Sequence, residues 1–244
     1  MTRIFPLRIV SQQPANLGSA DCHFIGEGDD GIDYAIKRVS DGARIPASEF
    51  ICNSLAQACG ITVPTFEIAI LSDIEKVFAS RWEDGSFPLE RVSALLMGAE
   101  QLNGLSEALS AVFAFDLFVY NIDRHFGNYM FRHKRGPGSL PVLLAPDYSR
   151  AFLYHGCPPP LPPLPSDCNT SKRFIEWQRR HIFSRNAATE LLDRLDTISD
   201  SDFGKIISQI PSEWLSSADG NTLVTWWKED HRDRIFMIKK GLPP

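Results

Sequence analysis

From Leu105 to Tyr120 the chain reads LSEALSAVFAFDLFVY, apolar on nearly every side of a helix, and the next eight residues, NIDRHFGN, are mostly polar. A surface helix buries one stripe, whereas a helix that is apolar all round must be enclosed. The chain therefore needs other layers around this segment, and 244 residues are enough to supply them, as one domain or as two lobes sharing a cleft. A second aromatic run, YMF, follows at once, so Asn121, Asp123, Arg124, His125 and Asn128 are held between two apolar anchors. Polar and charged groups in such surroundings need partners or a chemical use. Asp116, inside the apolar helix, is expected to hydrogen-bond the loop that follows.

The segments on either side differ in character. Upstream, HFIGEG and IDYAIKRV read as strands around an acidic turn, and alternating Tyr34, Ile36 and Val39 suit a half-buried strand. IPASEFICNSLAQACG reads as a helix with Pro46 near its start and Gly60 just past its end. ITVPTFEIAILSDIEKVFASRW reads as a hairpin turning at Ser72-Asp73, and EDGSFPLE marks a break. Downstream, PVLLAPDYSRAFL is a short strand running into a polar turn. Helical patterns in FIEWQRRHIF, NAATELLDRLDTI, DSDFGKIISQI and GNTLVTWWKEDHRDRIFMIKK finish the chain, with Asp200 and Asp219 as cap-region residues of the last two. The expected class is α+β: a β-rich part with one helix over residues 1–84 and a mainly helical part over 85–244, with a cleft between them.

Charge and cysteines narrow the setting. A net charge of −5 argues against a surface given over to nucleic acid, and no apolar run is long enough to span a bilayer or to act as a secretory leader. Cys22, Cys52, Cys59, Cys157 and Cys168 are odd in number without C-x-x-C spacing, so they read as thiols of a reducing cytoplasm.

Inside the polar island, Asp123 and Asn128 form D-x-x-x-x-N, and Asp147 follows 19 residues after Asn128 at the end of an apolar strand. Phosphoryl transfer from a nucleotide needs a carboxylate beside the attacking hydroxyl, and an amide and a second carboxylate to hold magnesium against the phosphates. Such an acceptor-rich oxygen set suits Mg²⁺ better than zinc. Lys37, in DYAIK, occupies the strand position of the phosphate-binding lysine in the kinase pattern V-A-I-K, and Glu49 in the next helix is its natural ion-pair partner. Lys, Glu, D-x-x-x-x-N and Asp in that order are far more specific than any one of them. For the neighbours, Arg124 is expected in a salt bridge, with Asp147 or a phosphate as candidates. His125 orients the Asp123 loop or simply packs.

NIDRHFGN, APDYSRA, YAIK and SEFICNSLAQACGITVP together resemble the HipA-like kinases, bacterial Ser/Thr kinases with atypical motifs whose loop style is shared by phosphatidylinositol-kinase relatives. The resemblance covers about residues 15–155. It implies a two-lobed, ATP-dependent, cytoplasmic protein kinase, with Asp123 as catalytic base, Asn128 and Asp147 as Mg²⁺ ligands, and backbone groups near Ser80, Arg81 and Trp82 reading the adenine. It also implies a protein substrate with a Ser or Thr acceptor and a regulatory protein partner, while the net charge and the lack of a spanning apolar run argue against direct nucleic-acid contact and a membrane. Asp147-Tyr148-Ser149 is closer to the D-x-S form of the family's toxin branch, although the chain is shorter than those toxins. A small-molecule or lipid kinase, and a catalytically silent nucleotide-binding module, are the alternatives.

Other signals are weaker. GEGDDG at 26–31 fits G-x-G-x-x-G, but Glu27, Asp29 and Asp30 would repel phosphates, so a hairpin turn is the better reading. ANLGSAD at 15–21 is either a turn before a strand or a phosphate loop in which Gly18 and Ser19 offer backbone amides. PPPLPPLP contains P-x-x-P and reads first as a rigid surface loop, and Lys172, Arg173, Arg179 and Arg180 read first as a solvated helix face.

Overall fold

The computed structural model describes residues 5–14, 24–42, 44–72, 74–83, 87, 89–98, 104–132 and 142–243. Five strands, β1 (Arg8–Pro14), β2 (Phe24–Gly28), β3 (Asp33–Lys37), β4 (Phe66–Leu71) and β5 (Glu75–Arg81), close into a barrel in the order β1-β2-β3-β5-β4. Neighbours are antiparallel except at the seam, where β1 and β4 pair in parallel through Arg8–Ile70 and Ile9–Leu71. The acidic glycine-rich stretch is the β2–β3 turn: Gly31 lies at φ 72°, and the Gly28 amide donates to the Ile32 carbonyl at 2.8 Å.

Strand periodicity decides what each face sees. Leu7, Ile9, Tyr34, Ile36, Ala69, Leu71, Val77 and Ala79 fill the barrel. With Ile36 inward, Lys37 faces out, and with Val77 and Ala79 inward, Phe78 faces out beside it in register. That outer face is covered by α1 (Ile45–Ala58), inserted between β3 and β4, whose Ala47, Phe50, Ile51 and Leu55 join Phe78 in the main core. Pro46 sits in its first turn, and Gly60, at φ 86°, follows its end.

The remaining helices are α2 (Leu89–Met97), α3 (Leu105–Phe118), α4 (Asn169–Arg179), α5 (Arg185–Asp196), α6 (Asp200–Gln209) and α7 (Ser217–Gly241), with a hairpin of β6 (Met130–Arg132) and β7 (Val142–Leu144). α3 is the enclosed element: Leu109, Ala114, Phe115 and Phe118 are fully buried, and α4, α5 and α7 all pack on it. Phe113 of α3 stacks on Phe174 of α4 with ring centroids 3.8 Å apart. Asp200 and Asp219 fall in the first turns of α6 and α7, in the expected cap regions, and the caps themselves are serines. Ser199 and Ser216 cap α6 and α7, each accepting from the amide three residues on, that of Asp202 or Asp219, at 3.1 Å. A serine hydroxyl reaches that amide, while the aspartates favour the positive end of the helix from its first turn. Among the described residues no helix is long and apolar enough to cross a membrane, and Cys52, Cys59, Cys157 and Cys168 are free thiols.

Candidate active site

The outward-facing Lys37 meets two acids, one 12 and the other 110 residues further along the sequence. Its ammonium donates to Glu49 Oε1 of α1, to Asp147 Oδ1 at 2.8 Å and to Ser149 Oγ at 2.6 Å, so all three of its protons are engaged. Glu49 Oε1 also accepts from the Tyr148 amide at 2.8 Å and from Ser149 Oγ at 3.0 Å, while Oε2 accepts from Asn53 Nδ2 at 3.0 Å. Ser48 fastens the same turn to α1 by donating to the Ala151 carbonyl at 2.6 Å. Asp147 itself lies at φ 68°, in the left-handed region that Asp and Asn tolerate better than most residues. Burial opposes the charge on each member. For Lys37, Asp147 and Glu49 outweigh it and raise the pKa above the ordinary lysine value. For Asp147, Lys37 outweighs it and pulls the carboxyl well below the usual range. For Glu49, burial prevails over Lys37 and the pKa rises.

The polar island is built around Arg124, not around Asp147. Arg124 and Asp116 are each 1% exposed and form a bidentate pair, Nε to Oδ2 and Nη2 to Oδ1, both at 2.9 Å. Asp116 thus does hold the loop, and it holds Asn121 too, whose Nδ2 donates to Oδ1 at 2.9 Å. Arg124 Nη1 reaches the Asn128 carbonyl at 2.9 Å and the Pro146 carbonyl at 2.6 Å. One guanidinium therefore ties the end of D-x-x-x-x-N to the residue preceding Asp147. The planar fork makes this possible, which an ammonium could not do. His125 Nδ1 accepts from the Gly127 amide at 3.0 Å and starts the short 3₁₀ turn Phe126–Asn128. A Cβ at position 127 would lie 2.9 Å from the His125 ring, which explains the glycine.

Asp123 faces the same turn. Its Oδ2 lies 3.6 Å from Arg150 Nε, and its Oδ1 accepts from Asn169 Nδ2 at 2.5 Å. Thr170, 1% exposed, accepts from the Arg124 amide at 2.9 Å and donates to the Asn121 carbonyl at 2.7 Å. Sequence reasoning missed Asn169, Thr170 and Arg150. The two α4 residues follow a proline-rich run, and no local motif marks them as neighbours of residues 121–124. Ser80 lies in β5, between Ala35 and Phe66. The Arg81 and Trp82 amides already donate to the Thr65 and Asp33 carbonyls at 2.7 Å each, so they are engaged within the barrel. Gly18 and Ser19 lie outside the described residues.

The donor set fits a hard divalent cation. Asn128 Nδ2 donates to the Asp123 carbonyl at 2.8 Å, which leaves the amide oxygen as an acceptor. Asp147 Oδ1 takes Lys37 and the Ser149 amide, which leaves Oδ2. Among the described residues no three His, Cys, Asp or Glu side chains converge as a metal cage. That is how magnesium sites on nucleotides are built, from one or two protein oxygens completed by phosphates and water.

Comparison with known proteins bears on the family and the fold. The HipA-like kinase family matches residues 12–133, half of the chain. Among solved structures the fold resembles the Helicobacter pylori proinflammatory kinase CtkA, with a TM-score of 0.61 at 14% identity, covering 94% of each chain. It also resembles HipA of Shewanella oneidensis MR-1, solved with HipB and operator DNA, with a TM-score of 0.54 at 12% identity. That alignment covers 96% of this chain and 65% of HipA. At these identities the structural likeness speaks for the fold. No curated protein sequence matches the chain.

Proposed function

We propose that this chain, which belongs to the HipA-like kinase family, transfers the γ-phosphate of ATP to a serine or threonine hydroxyl of a protein. The observation that carries this reading is the convergence on one ammonium: Lys37 holds Glu49 and Asp147, 12 and 110 residues away, beside a D-x-x-x-x-N loop tied to the same turn by Arg124. In this reading the barrel and α1 form a nucleotide-binding lobe over residues 1–84, and the helices a catalytic lobe over 85–244.

Lys37, braced by Glu49, exchanges one of its present acceptors for the α- and β-phosphates of the nucleotide. Asp123 accepts the proton of the attacking hydroxyl, with its carboxylate aligned by Asn169. Asn128 and Asp147 Oδ2 hold Mg²⁺, which supplies charge neutralisation to the transferring phosphoryl group. Gly18 and Ser19 belong to the phosphate loop, and Ser80, Arg81 and Trp82 to the adenine edge, where carbonyl oxygens are what residues 81 and 82 have to offer.

HipB and operator DNA accompany the Shewanella protein. For this chain a regulatory protein partner belongs to the proposal, and direct DNA contact does not, given the net charge of −5. The test is labelling with γ-labelled ATP and Mg²⁺ followed by mass spectrometry of the acceptor. Loss of transfer in Asp123→Asn and in Asp147→Asn, with the fold retained, is expected. Unchanged transfer in both removes the proposal.

A further inference from the structure

α4 begins at the proposed base, since Asn169, its first residue, is bonded to Asp123. Its inner side is apolar: Phe174 stacks on Phe113 and Trp177 is buried against Tyr129. Its outer side carries Lys172, Arg173, Glu176, Arg179 and Arg180, spaced so that they share one face. Four cations and one anion stand there on a chain that has 25 bases and 30 acids overall.

Much of this face is fixed in place. Glu176 pairs with Arg173 at 2.6 Å and with Arg180 at 3.9 Å. Arg173 also lies 4.4 Å over the ring of Phe126, inside the D-x-x-x-x-N loop, and Arg180 donates to the Met97 carbonyl at 3.2 Å. The single acid thus orders two arginines without neutralising the face, and Lys172 and Arg179 have no ion pair among the described residues. Asp167, two residues before the helix, is the nearest other acid in sequence. Lys172, Arg173, Ile175, Glu176, Arg179 and Arg180 border a shallow space of about 520 Å³ in which Ile175 is 40% exposed.

Resting on the kinase reading, we infer that the outer face of α4 docks an acidic segment of the protein substrate next to the hydroxyl to be phosphorylated. The helix rises about 1.5 Å per residue, so Arg179 stands about 15 Å from Asn169. An extended peptide advances about 3.3 Å per residue, which places the matching acids about two to five residues from the acceptor. The face is short, its net charge is small, and Ile175 is its exposed apolar residue. A single-stranded nucleic acid would want a longer track of cations with aromatic platforms for its bases.

The experiment compares kcat/KM for serine peptides of equal length whose flanks, two to five residues on either side, are acidic, neutral or basic. It uses the wild type, Lys172→Gln/Arg179→Gln and Lys172→Glu/Arg179→Glu. The acidic peptide is expected to be preferred by about five- to ten-fold at low salt, with the preference shrinking as salt rises. The glutamine variant reduces the ratio and the glutamate variant erases or inverts it, while the rate on the neutral peptide is unchanged. Two outcomes overturn the inference alone: equal rates on all peptides, or an equal slowing of all peptides in the variants. Absence of transfer to any acceptor overturns the kinase reading and the inference with it.

Discussion

The side-chain amide of Asn169 donates to Oδ1 of Asp123 at 2.5 Å, joining the first turn of α4 to the D-x-x-x-x-N loop across 46 residues. The donor engages Oδ1 while Oδ2 lies 3.6 Å from Arg150 Nε, and in the proposed role of Asp123 as base this bond aligns the carboxylate. Asn169→Ala is expected to lower kcat by about ten-fold or more, since a hydrogen bond to a charged group is worth roughly 1.5–3 kcal/mol. The KM for ATP is expected to stay put. Steady-state kinetics at varied ATP reads both, and an unchanged kcat would show that Asp123 is aligned by something else.

Arg124 and Asp116 are expected to govern stability more than chemistry. Both are 1% exposed. Arg124→Met keeps the bulk but leaves the Asp116 carboxylate buried with Asn121 as its remaining polar partner. Removing one member of a buried pair costs about 3–5 kcal/mol. Urea unfolding is expected to show a loss of that size, and the double variant Asp116→Asn/Arg124→Met to recover part of it. Full additivity of the two single losses would mean that the pair is not the coupling unit.

Much of this architecture was legible from local pattern, because the signals that carried it are local. The apolar girth of 105–120 marked the enclosed helix, alternation suited the strand that carries Ile36 and Lys37, and the acidic Glu27, Asp29 and Asp30 identified GEGDDG as a hairpin turn. What escaped is set by packing between distant segments. β1 offers little alternation, with Ile9 its one buried residue, and is held by the barrel seam. The partner of Arg124 was sought at Asp147 or a phosphate, and the structure gives Asp116, eight residues back in the last turn of α3. Asn169 and Thr170 carry no sequence mark at all, because their role exists only once α4 lies across the loop.

Lys37 and Asp147 are expected to add no pH dependence across the neutral range, so that any slope the cluster shows there belongs to Glu49, whose pKa burial raises. A lysine whose pKa is raised on folding contributes stability that is fully present below its ordinary 10.5 and lost only as pH rises beyond that. A carboxyl whose pKa is lowered contributes above its ordinary 3.8 and loses that contribution as pH falls further. Unfolding free energy measured from pH 6 to 9 should therefore differ little between the wild type and Asp147→Asn in its slope, though it differs in level. A Lys37-dependent slope inside that window would contradict the assignment. Lys37→Arg is expected not to restore activity, because the larger fork cannot make the three short contacts of a compact ammonium.

Arg234 of α7 ties the two approaches to the site together. It is fully buried, and its bonds run to carbonyls: Phe118 at 2.7 Å and Leu117 at 3.4 Å at the end of α3, and Pro160 at 2.5 Å and Pro159 at 3.4 Å in the proline-rich run. Burial pushes its pKa down to about 10, which still leaves it charged at neutral pH. α3 leads into the Asp123 loop, and the proline-rich run leads to Asn169. One guanidinium thus bridges the two segments that lead to Asp123 and to Asn169. Arg234→Met leaves those carbonyls unpaired, at a cost of about 1–3 kcal/mol for each one that water does not reach. Hydrogen exchange is expected to rise together in residues 117–124 and 166–171, with kcat falling alongside. A rise on one side only would mean that the two approaches are anchored separately.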